Sequence, residues 1–588
     1  MKNYSLKHID SKNVERLNSS KLLKKFVYYL RNEEIRLILA IMAVLINATA
    51  NVASPLILGL TIDQFILHHN LSGIAQNTMY LSGLYLLIFI SGFAQTRFMG
   101  EVGRNVLFKL RSAVFEKIQS LPQAFFNQNK LGDLISRINN DTDKLNQFLS
   151  QSLNQFVANF FTILGIGMFI FFINFKLALI TIISALILFL VSYLISPWIS
   201  KKNRINLQSL GNLSAEIQES INNYKVIVSF NRKDYFRNNF EKANEENFKS
   251  AVAAGIANNI SAPIYDLSGN VALILVLYFG ILMIKNDELT IGLLVSFLSY
   301  TDRFYSPLRQ MAAIWSNAQA SLAAWSRVWE ILSLHSDLKF SNRSEITSQR
   351  PLMEFQKVSF GYVKGHRILN DVNFEIETGK TYAVVGPTGG GKSTLAALMA
   401  RLYDPKRGTI YLKGQDLKSF LSSELTQTIG FILQDQFLFT GTVGENIVYG
   451  NKDYPTYDKD KLTKQLANLN LSILINKFEN GLDTLVTPTT ELISMGQKQL
   501  ISFIRAIIRK PEILIMDEAT ANIDTVTESI LQDILDKLPK ETTKVIIAHR
   551  LNTIKKADQI YFVSHGQVIP AESFEKSLEL INKTKVDS

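Results

Sequence analysis

The stretch TYAVVGPTGGGKST, Thr381 to Thr394, decides how the rest of this sequence is read. An apolar strand, Tyr382 to Val385, breaks into a glycine-rich loop, and the loop opens a helix at Lys392, Ser393 and Thr394. That order is what a phosphate cradle requires. After Pro387, which has no N–H to offer, successive backbone N–H groups from Thr388 through Lys392 can turn inward only where side chains leave room, hence Gly386, Gly389, Gly390 and Gly391. The helix that follows adds the positive end of its dipole. Lys392 is placed to reach β- and γ-phosphates, and the Ser393 hydroxyl to ligate Mg²⁺. The plainer alternative, a glycine turn with a surface lysine, loses ground as further motifs accumulate downstream.

The second element is Ile513 to Glu518, ILIMDE. Its apolar run reads as a buried parallel strand that delivers Asp517 and Glu518 at its carboxyl end, the edge where α/β sheets bind ligands. Asp517 can hold Mg²⁺ through water, and Glu518 can act as the general base that orients an attacking water. From Pro351 onward, short β-rich runs alternate with helices, the pattern of an α/β domain.

Upstream the character changes. At 588 residues the chain is too long for one core. It has no cysteine, which excludes disulfides, thiolate metal sites and cysteine nucleophiles and leaves the redox compartment undetermined. A net charge of +11 could suggest nucleic acid, but 47% hydrophobic residues in so long a chain point to a membrane protein. Residues 1–34 are polar and basic, without a signal-peptide core or cleavage site. Within them Leu22, Leu23, Phe26, Val27 and Leu30 share one helical face, expected to lie on the cytoplasmic membrane surface.

Four uncharged runs follow: Leu37 to Ile62, Met79 to Thr96, Leu145 to Phe175 and Leu177 to Ser200. Each can cross a bilayer core of about 30 Å. Leu267 to Ile284 is just long enough for a fifth crossing, and Leu289 to Thr301 makes a sixth only if its helix continues through Asp302, Arg303 and Pro307. Six spanning helices are expected. Between the first two, Asp63 to Asn77 carries no Lys or Arg, whereas the N-terminus and the stretches Arg97 to Lys144 and Lys201 to Lys249 are rich in both. Basic segments stay inside, so both termini are expected in the cytoplasm, and the net charge needs no nucleic-acid partner. Helical patterning continues from Arg97 towards Ser120 and from Lys201 towards Asn222, projecting roughly 35 Å beyond the membrane. The returns fall near Phe125 to Gly132 and Tyr224 to Asn231, placed to touch a soluble domain below. The expected division is residues 1–34 interfacial, 35–333 membrane domain, 334–350 linker and 351–588 nucleotide domain.

Taken together, these motifs resemble an ATP-binding cassette (ABC) half-transporter of the exporter type, over nearly the whole chain. The resemblance implies a membrane α-helical domain of six helices fused to an α/β P-loop ATPase, with ATP and Mg²⁺ as ligands. Gly386 to Ser393 matches Walker A and Ile513 to Glu518 Walker B. Gln434 in LQDQFLF matches the Q-loop, which senses Mg²⁺ and the lytic water; Asp524 in ATANID matches the D-loop. His549 in IIAHRL matches the switch histidine at the γ-phosphate, and Tyr362 in VSFGYVKG the aromatic that stacks on adenine. FFNQNKLGDLISRINNDTDKL and NYKVIVSFNRKDYF resemble the two coupling-helix regions.

The signature motif departs from the family's LSGGQ, reading Ile493, Ser494, Met495, Gly496, Gln497. In the family this motif closes on ATP held by a second subunit, and Met495 puts a thioether where the family has no side chain. With Walker A, Glu518 and His549 intact, the combination resembles the catalytically complete chain of a heterodimeric exporter; a homodimer that tolerates Met495 is the alternative. The resemblance implies a second half-transporter as partner, residence in the lipid bilayer, and export of hydrophobic or small amphipathic compounds of the multidrug type. Lipid or peptide export, import on the same fold, and an ATP-gated channel or regulatory subunit remain as alternatives. Tyr300, Asp302, Arg303, Phe304, Tyr305 and Asp266 are candidates to face the pathway. The competing reading has them paired structurally at the wet cytoplasmic end.

Overall fold

A computed structural model describes residues 4–6, 19–336, 338, 341, 351–363, 365–434, 436–487, 493–517, 525–547, 554–571 and 576. The chain divides into two compact units. One comprises Met1–Leu6, Gln119–Leu131 and Leu334–Ser588, the other Lys7–Ile118 and Gly132–Ser333.

The second unit is helical. Helix α1 (Ser19–Leu30) precedes α2 (Glu34–Thr61) and α3 (Leu71–Gln119). After the short α4 (Gln123–Gln128), the chain returns through Leu131–Ile173, where π-turns at Arg137–Asp141 and Phe148–Leu153 lead into α5 (Asn154–Ile173). Next come α6 (Phe175–Asn222), the short α7 (Tyr224–Ser229), α8 (Lys233–Asn259), α9 (Ser261–Lys285) and α10 (Ile291–Leu332). Among the described residues, five helical segments, Glu34–Ile66, Leu71–Gln119, Leu131–Ile173, Phe175–Asn222 and Lys233–Lys285, are long and apolar enough to cross a membrane. The sixth, α10, is more polar, and it runs unbroken through Asp302, Arg303 and Pro307 as a sixth crossing demands. Helices α3 and α6 continue without a break into the basic stretches, and α4 and α7 sit at the two returns read from the sequence.

Helix α10 is held along α2 by a ladder of contacts at helical spacing. Asp63 caps its start, accepting from the Gly292 N–H at 2.7 Å and the Thr290 hydroxyl at 2.5 Å. The backbones nearly touch at Gly59 and Gly292, where a Cβ on Gly292 would lie 2.0 Å from the Gly59 carbonyl oxygen. Beyond them Ser296 donates to the Pro55 carbonyl (2.7 Å), Tyr300 to that of Val52 (2.5 Å), and Arg303 to that of Asn51 (2.9 Å). Tyr300 and Phe304 are buried in the membrane-domain core with Ile166, Ile170 and Phe297. The pathway role entertained for Tyr300, Arg303 and Phe304 therefore gives way to helix packing, and Asp266 pairs with Arg309 at 2.6 Å.

Two further pairings fix the segment after α4 to the end of α10. Arg137, only 1% exposed, donates to Glu330 at 2.7 Å and to the Arg327 carbonyl at 3.0 Å, while Arg327 donates to Asp141 at 2.7 Å. The amphipathic N-terminal helix finds protein rather than lipid on part of its face. The Phe26 ring lies 5.1 Å from that of Trp325, and Lys25 Nζ sits 4.1 Å over Trp329. Val27 stays exposed. The packing partner missing from the preceding sequence comes from the far end of the domain.

The other unit carries the sheets. Strands β1 (Met353–Phe360), β2 (Leu369–Ile376), β4 (Arg407–Leu412) and β5 (Gln415–Asp416) form an antiparallel sheet ordered β2-β1-β4-β5. A six-stranded sheet follows the order β12-β11-β3-β10-β9-β6, built from β3 (Thr381–Val385), β6 (Ile429–Ile432), β9 (Ile513–Asp517), β10 (Thr543–Ile547), β11 (Gln559–Ser564) and β12 (Gln567–Ala571). All its pairings are parallel except β11 with β12. Strand β9 is buried along its whole length, which is why its sequence is continuously apolar rather than alternating. Helix α11 (Lys392–Met399) follows β3, and α12 (Met495–Ile507) packs Leu500, Ile501 and Ile504 into a core with Ile432, Val443 and Ile447. Of the expected linker, only residues 335, 336, 338 and 341 of the stretch after Leu334 are described.

Candidate functional site: the phosphate loop and its neighbours

Strand β3 lies between β10 and β11, and its carboxyl end feeds the glycine loop. Gly386 has φ +149° and Gly391, which caps α11, has φ +109°; both are conformations L-residues rarely adopt. Space enforces the same choice, because a Cβ on Gly386 would lie 2.1 Å from the Val563 carbonyl oxygen. The loop is thus a backbone cradle, with Thr388, Gly389 and Ser393 exposed at its mouth and Pro387 and Gly390 half-buried. Lys392 Nζ donates to the carbonyls of Gly386 (2.9 Å) and Pro387 (3.0 Å), curling over the loop where an anion would compete for it. An ammonium, a hydroxyl and a row of amides at the start of a helix fit a polyphosphate and a metal.

Strand registers bring the other candidates to the same edge. Ile547 of β10 pairs with Asp517 of β9, and Ile432 of β6 with Met516. Asp517 is buried at the end of β9, and Gln434 is exposed two residues beyond β6. Glu518, Asp524 and His549 lie outside the described residues. Arg505 of α12 anchors the segment after Gln434, donating to the Asn446 carbonyl at 2.8 Å and to that of Phe437 at 3.2 Å. Asn446 in turn bonds both the N–H and the carbonyl of Phe439, each at 2.8 Å.

The signature residues open α12. Ser494 is its N-cap: its hydroxyl accepts from the Gln497 N–H at 3.2 Å, and Gln497 Oε1 accepts from the Ser494 N–H at 2.9 Å. That reciprocal cap was legible as S-x-x-Q and was not recognised in the sequence. It sets Met495 and Gly496 in the first turn, with Met495 55% exposed.

An aromatic cluster went unrecognised too. The Tyr362 hydroxyl lies 3.2 Å from Thr394 Oγ1, and its ring meets Tyr403 edge-on at 5.2 Å. Asn127 of α4 donates to the Tyr403 hydroxyl at 2.8 Å. Burial, with Tyr362 beside it, pushes the Tyr403 phenol up to about 12, so it stays protonated. The candidate adenine-stacking residue and the phosphate helix are therefore joined to α4 through one tyrosine.

Residues 37–308 match the family described as the ABC transporter transmembrane region, and residues 369–521 match the family described as ABC transporter. The chain belongs to the ABC transporter family. This ABC transporter is 32% identical to the Bacillus subtilis ABC transporter ATP-binding protein YfiC, over 94% of this chain and 91% of that one. It is 31% identical to a Mycobacterium bovis fatty acid ABC transporter ATP-binding/permease protein, over 84% and 78% of the two chains. It is 30% identical to the ATP-dependent lipid A-core flippase of Pectobacterium atrosepticum, over 91% of each. With both domains fused in one chain, it is an exporter-type half-transporter, a multi-pass membrane protein that binds ATP and couples its hydrolysis to transport. Half-transporters of this kind work as dimers.

Proposed function

We propose that this chain is the hydrolytically competent subunit of a pump in the cytoplasmic membrane, with both termini and the ATPase domain in the cytoplasm, exporting amphipathic compounds by alternating access. The observation that carries the reading is the phosphate loop: a backbone cradle, impassable to side chains at Gly386, opening a helix at Lys392 on the sheet edge where Asp517 and Gln434 also end. In this reading Gly386 to Thr394 hold the phosphates, Lys392 neutralises them, and Tyr362 stacks on the base. Ser393, Asp517 and Gln434 would hold Mg²⁺, which would supply charge neutralisation for phosphoryl transfer. Glu518 accepts the proton of the attacking water and His549 contacts the terminal phosphate. Asp524 takes the D-loop position.

Ser494, Met495, Gly496 and Gln497 face the nucleotide of the second subunit. The exposed thioether of Met495 supports a heterodimer in which the site closed by this signature turns over slowly. A lipid cargo is the second reading, favoured by the names of the fatty acid and lipid A-core relatives.

Two variants test the site. Glu518→Gln is expected to keep ATP binding and to lose most turnover, measured by nucleotide filter binding and phosphate release. Lys392→Ala is expected to lose nucleotide affinity and ATP-driven uptake into inside-out vesicles. Full uptake by Lys392→Ala would end the pump reading.

A further inference from the structure

Between α9 and α10 lies a cavity of about 280 Å³, lined among others by Tyr265, Asp266, Leu273, Asp302, Tyr305 and Arg309. Roughly 17 Å of helix separates Asp302 from Ile291 at the start of α10. That depth is near the middle of a hydrocarbon layer about 30 Å thick. A carboxylate there is retained only when it faces protein or a wet cavity, and intramembrane charge marks a pathway by default.

The neighbouring guanidinium groups and the Tyr305 hydroxyl are already engaged. Arg309 is neutralised by Asp266 at 2.6 Å. Arg303 is turned to Asn51, bonding its carbonyl at 2.9 Å and its side-chain oxygen at 3.0 Å. Tyr305 donates to the Thr181 carbonyl at 3.1 Å, leaving its ring as cavity wall. Asp302, by contrast, is exposed and makes no hydrogen bond or ion pair among the described residues. The ionisable lining is thus two carboxylates against one guanidinium, an excess of one negative charge beside aromatic and aliphatic walls.

We infer that this cavity is a cargo subsite for cationic amphiphiles, in which the Asp302 carboxylate pairs with an ammonium or phosphonium centre. The Tyr265 and Tyr305 rings favour the same sign of charge through their π-faces, and Leu273 supplies apolar surface. The inference rests on the exporter reading and narrows its cargo. An anionic headgroup is opposed, because the one lining cation is already paired. A protonated amine on a soluble compound and the ammonium of a phosphatidylethanolamine headgroup present the same chemistry to Asp302.

The test uses two ions of equal size and shape and opposite charge, tetraphenylphosphonium and tetraphenylborate. Each is bound at equilibrium to the purified full-length chain, with any second subunit it retains, in detergent without nucleotide. Asp302→Asn is expected to weaken tetraphenylphosphonium at least tenfold without weakening tetraphenylborate, and Asp302→Glu to stay within about threefold of wild type. Leu273→Trp, which fills the cavity and leaves the charge, is expected to weaken tetraphenylphosphonium as well. Mixed micelles identify the source: competition by phosphatidylethanolamine assigns the site to lipid headgroups, and its failure to compete assigns it to soluble cations. Undiminished tetraphenylphosphonium binding by Asp302→Asn or Leu273→Trp, equal loss of both ions in Asp302→Asn, or competition by phosphatidylglycerol would overturn the subsite. Because hydrolysis is not read, that failure leaves the pump standing, and the pump falls only by the Lys392→Ala test.

Discussion

Met495 and Tyr403 act at the scale of single side chains. The Ser494–Gln497 cap keeps the start of α12 in place whatever occupies position 495, so Met495→Gly changes approach to a second subunit's nucleotide without unseating the helix. It is expected to raise ATP turnover several-fold in dimers that use this signature, read by phosphate release. Tyr403 joins Tyr362 to Asn127. Asn127→Ala removes one bond of about 1 kcal/mol. It is expected to cut stimulation of hydrolysis by cargo several-fold while the KM for ATP moves less than about twofold, because the nucleotide contacts themselves are untouched. Equal effects on stimulated and unstimulated rates would show that the Asn127–Tyr403 bond only supports the fold.

Among the elements, the returns and termini are where packing did what periodicity could not foretell. Tyr4, 1% exposed, is locked onto α4. Its N–H donates to Gln128 Oε1 at 2.8 Å, and the side-chain amide of Asn129 bridges Leu6 N–H (2.9 Å) and the Tyr4 carbonyl (3.0 Å) like a neighbouring strand. The polar, basic N-terminal stretch thus begins with a protein anchor. The π-turn at Arg137–Asp141 is pinned to α10 by two guanidinium–carboxylate contacts, that of Arg137 buried, and Arg137→Ala, which removes its bonds to Glu330 and Asp133, is expected to cost about 3 kcal/mol in denaturation.

Glu33, at the start of α2, works differently. Burial alone would raise its carboxyl, but hydrogen bonds from Asn105, Lys109 and Arg36 outweigh that and hold it below the usual range. The folded state therefore binds fewer protons than the unfolded one. The resulting stability is present above about pH 4.5 and is lost as pH falls through the lower folded value. Glu33→Gln is expected to lower Tm by a few degrees at pH 7, with the difference from wild type shrinking below pH 4.5.

For the whole molecule, large apolar side chains such as Phe89 of α3 and Phe189 and Tyr193 of α6 stay exposed, as helices bounded by lipid require. Apolar exposure also occurs on α7, at Tyr224, Val226 and Val228, and this return lies outside the segments read as lipid-spanning. A half-transporter works with a partner subunit. If that partner is a different chain, this polypeptide purified alone is expected to hydrolyse ATP at a small fraction of the rate of the co-expressed pair. Robust activity from one polypeptide would favour the homodimer.

What the sequence determined by itself was everything local enough to repeat or to be spelled in consecutive residues. The phosphate loop, the β9 strand, the long apolar helices and their unbroken extensions into the basic stretches belong here, because glycine geometry, burial on both faces and helical period leave their marks on neighbours in the chain. Only the tertiary structure decided which faces those elements turn to one another. Tyr300 and Arg303 fell to helix packing because residues 51–63 lie alongside α10, and Asp302 was left facing a cavity because its neighbours found other partners. Such assignments depend on contacts across hundreds of residues, and no periodicity within one helix can encode what stands opposite it.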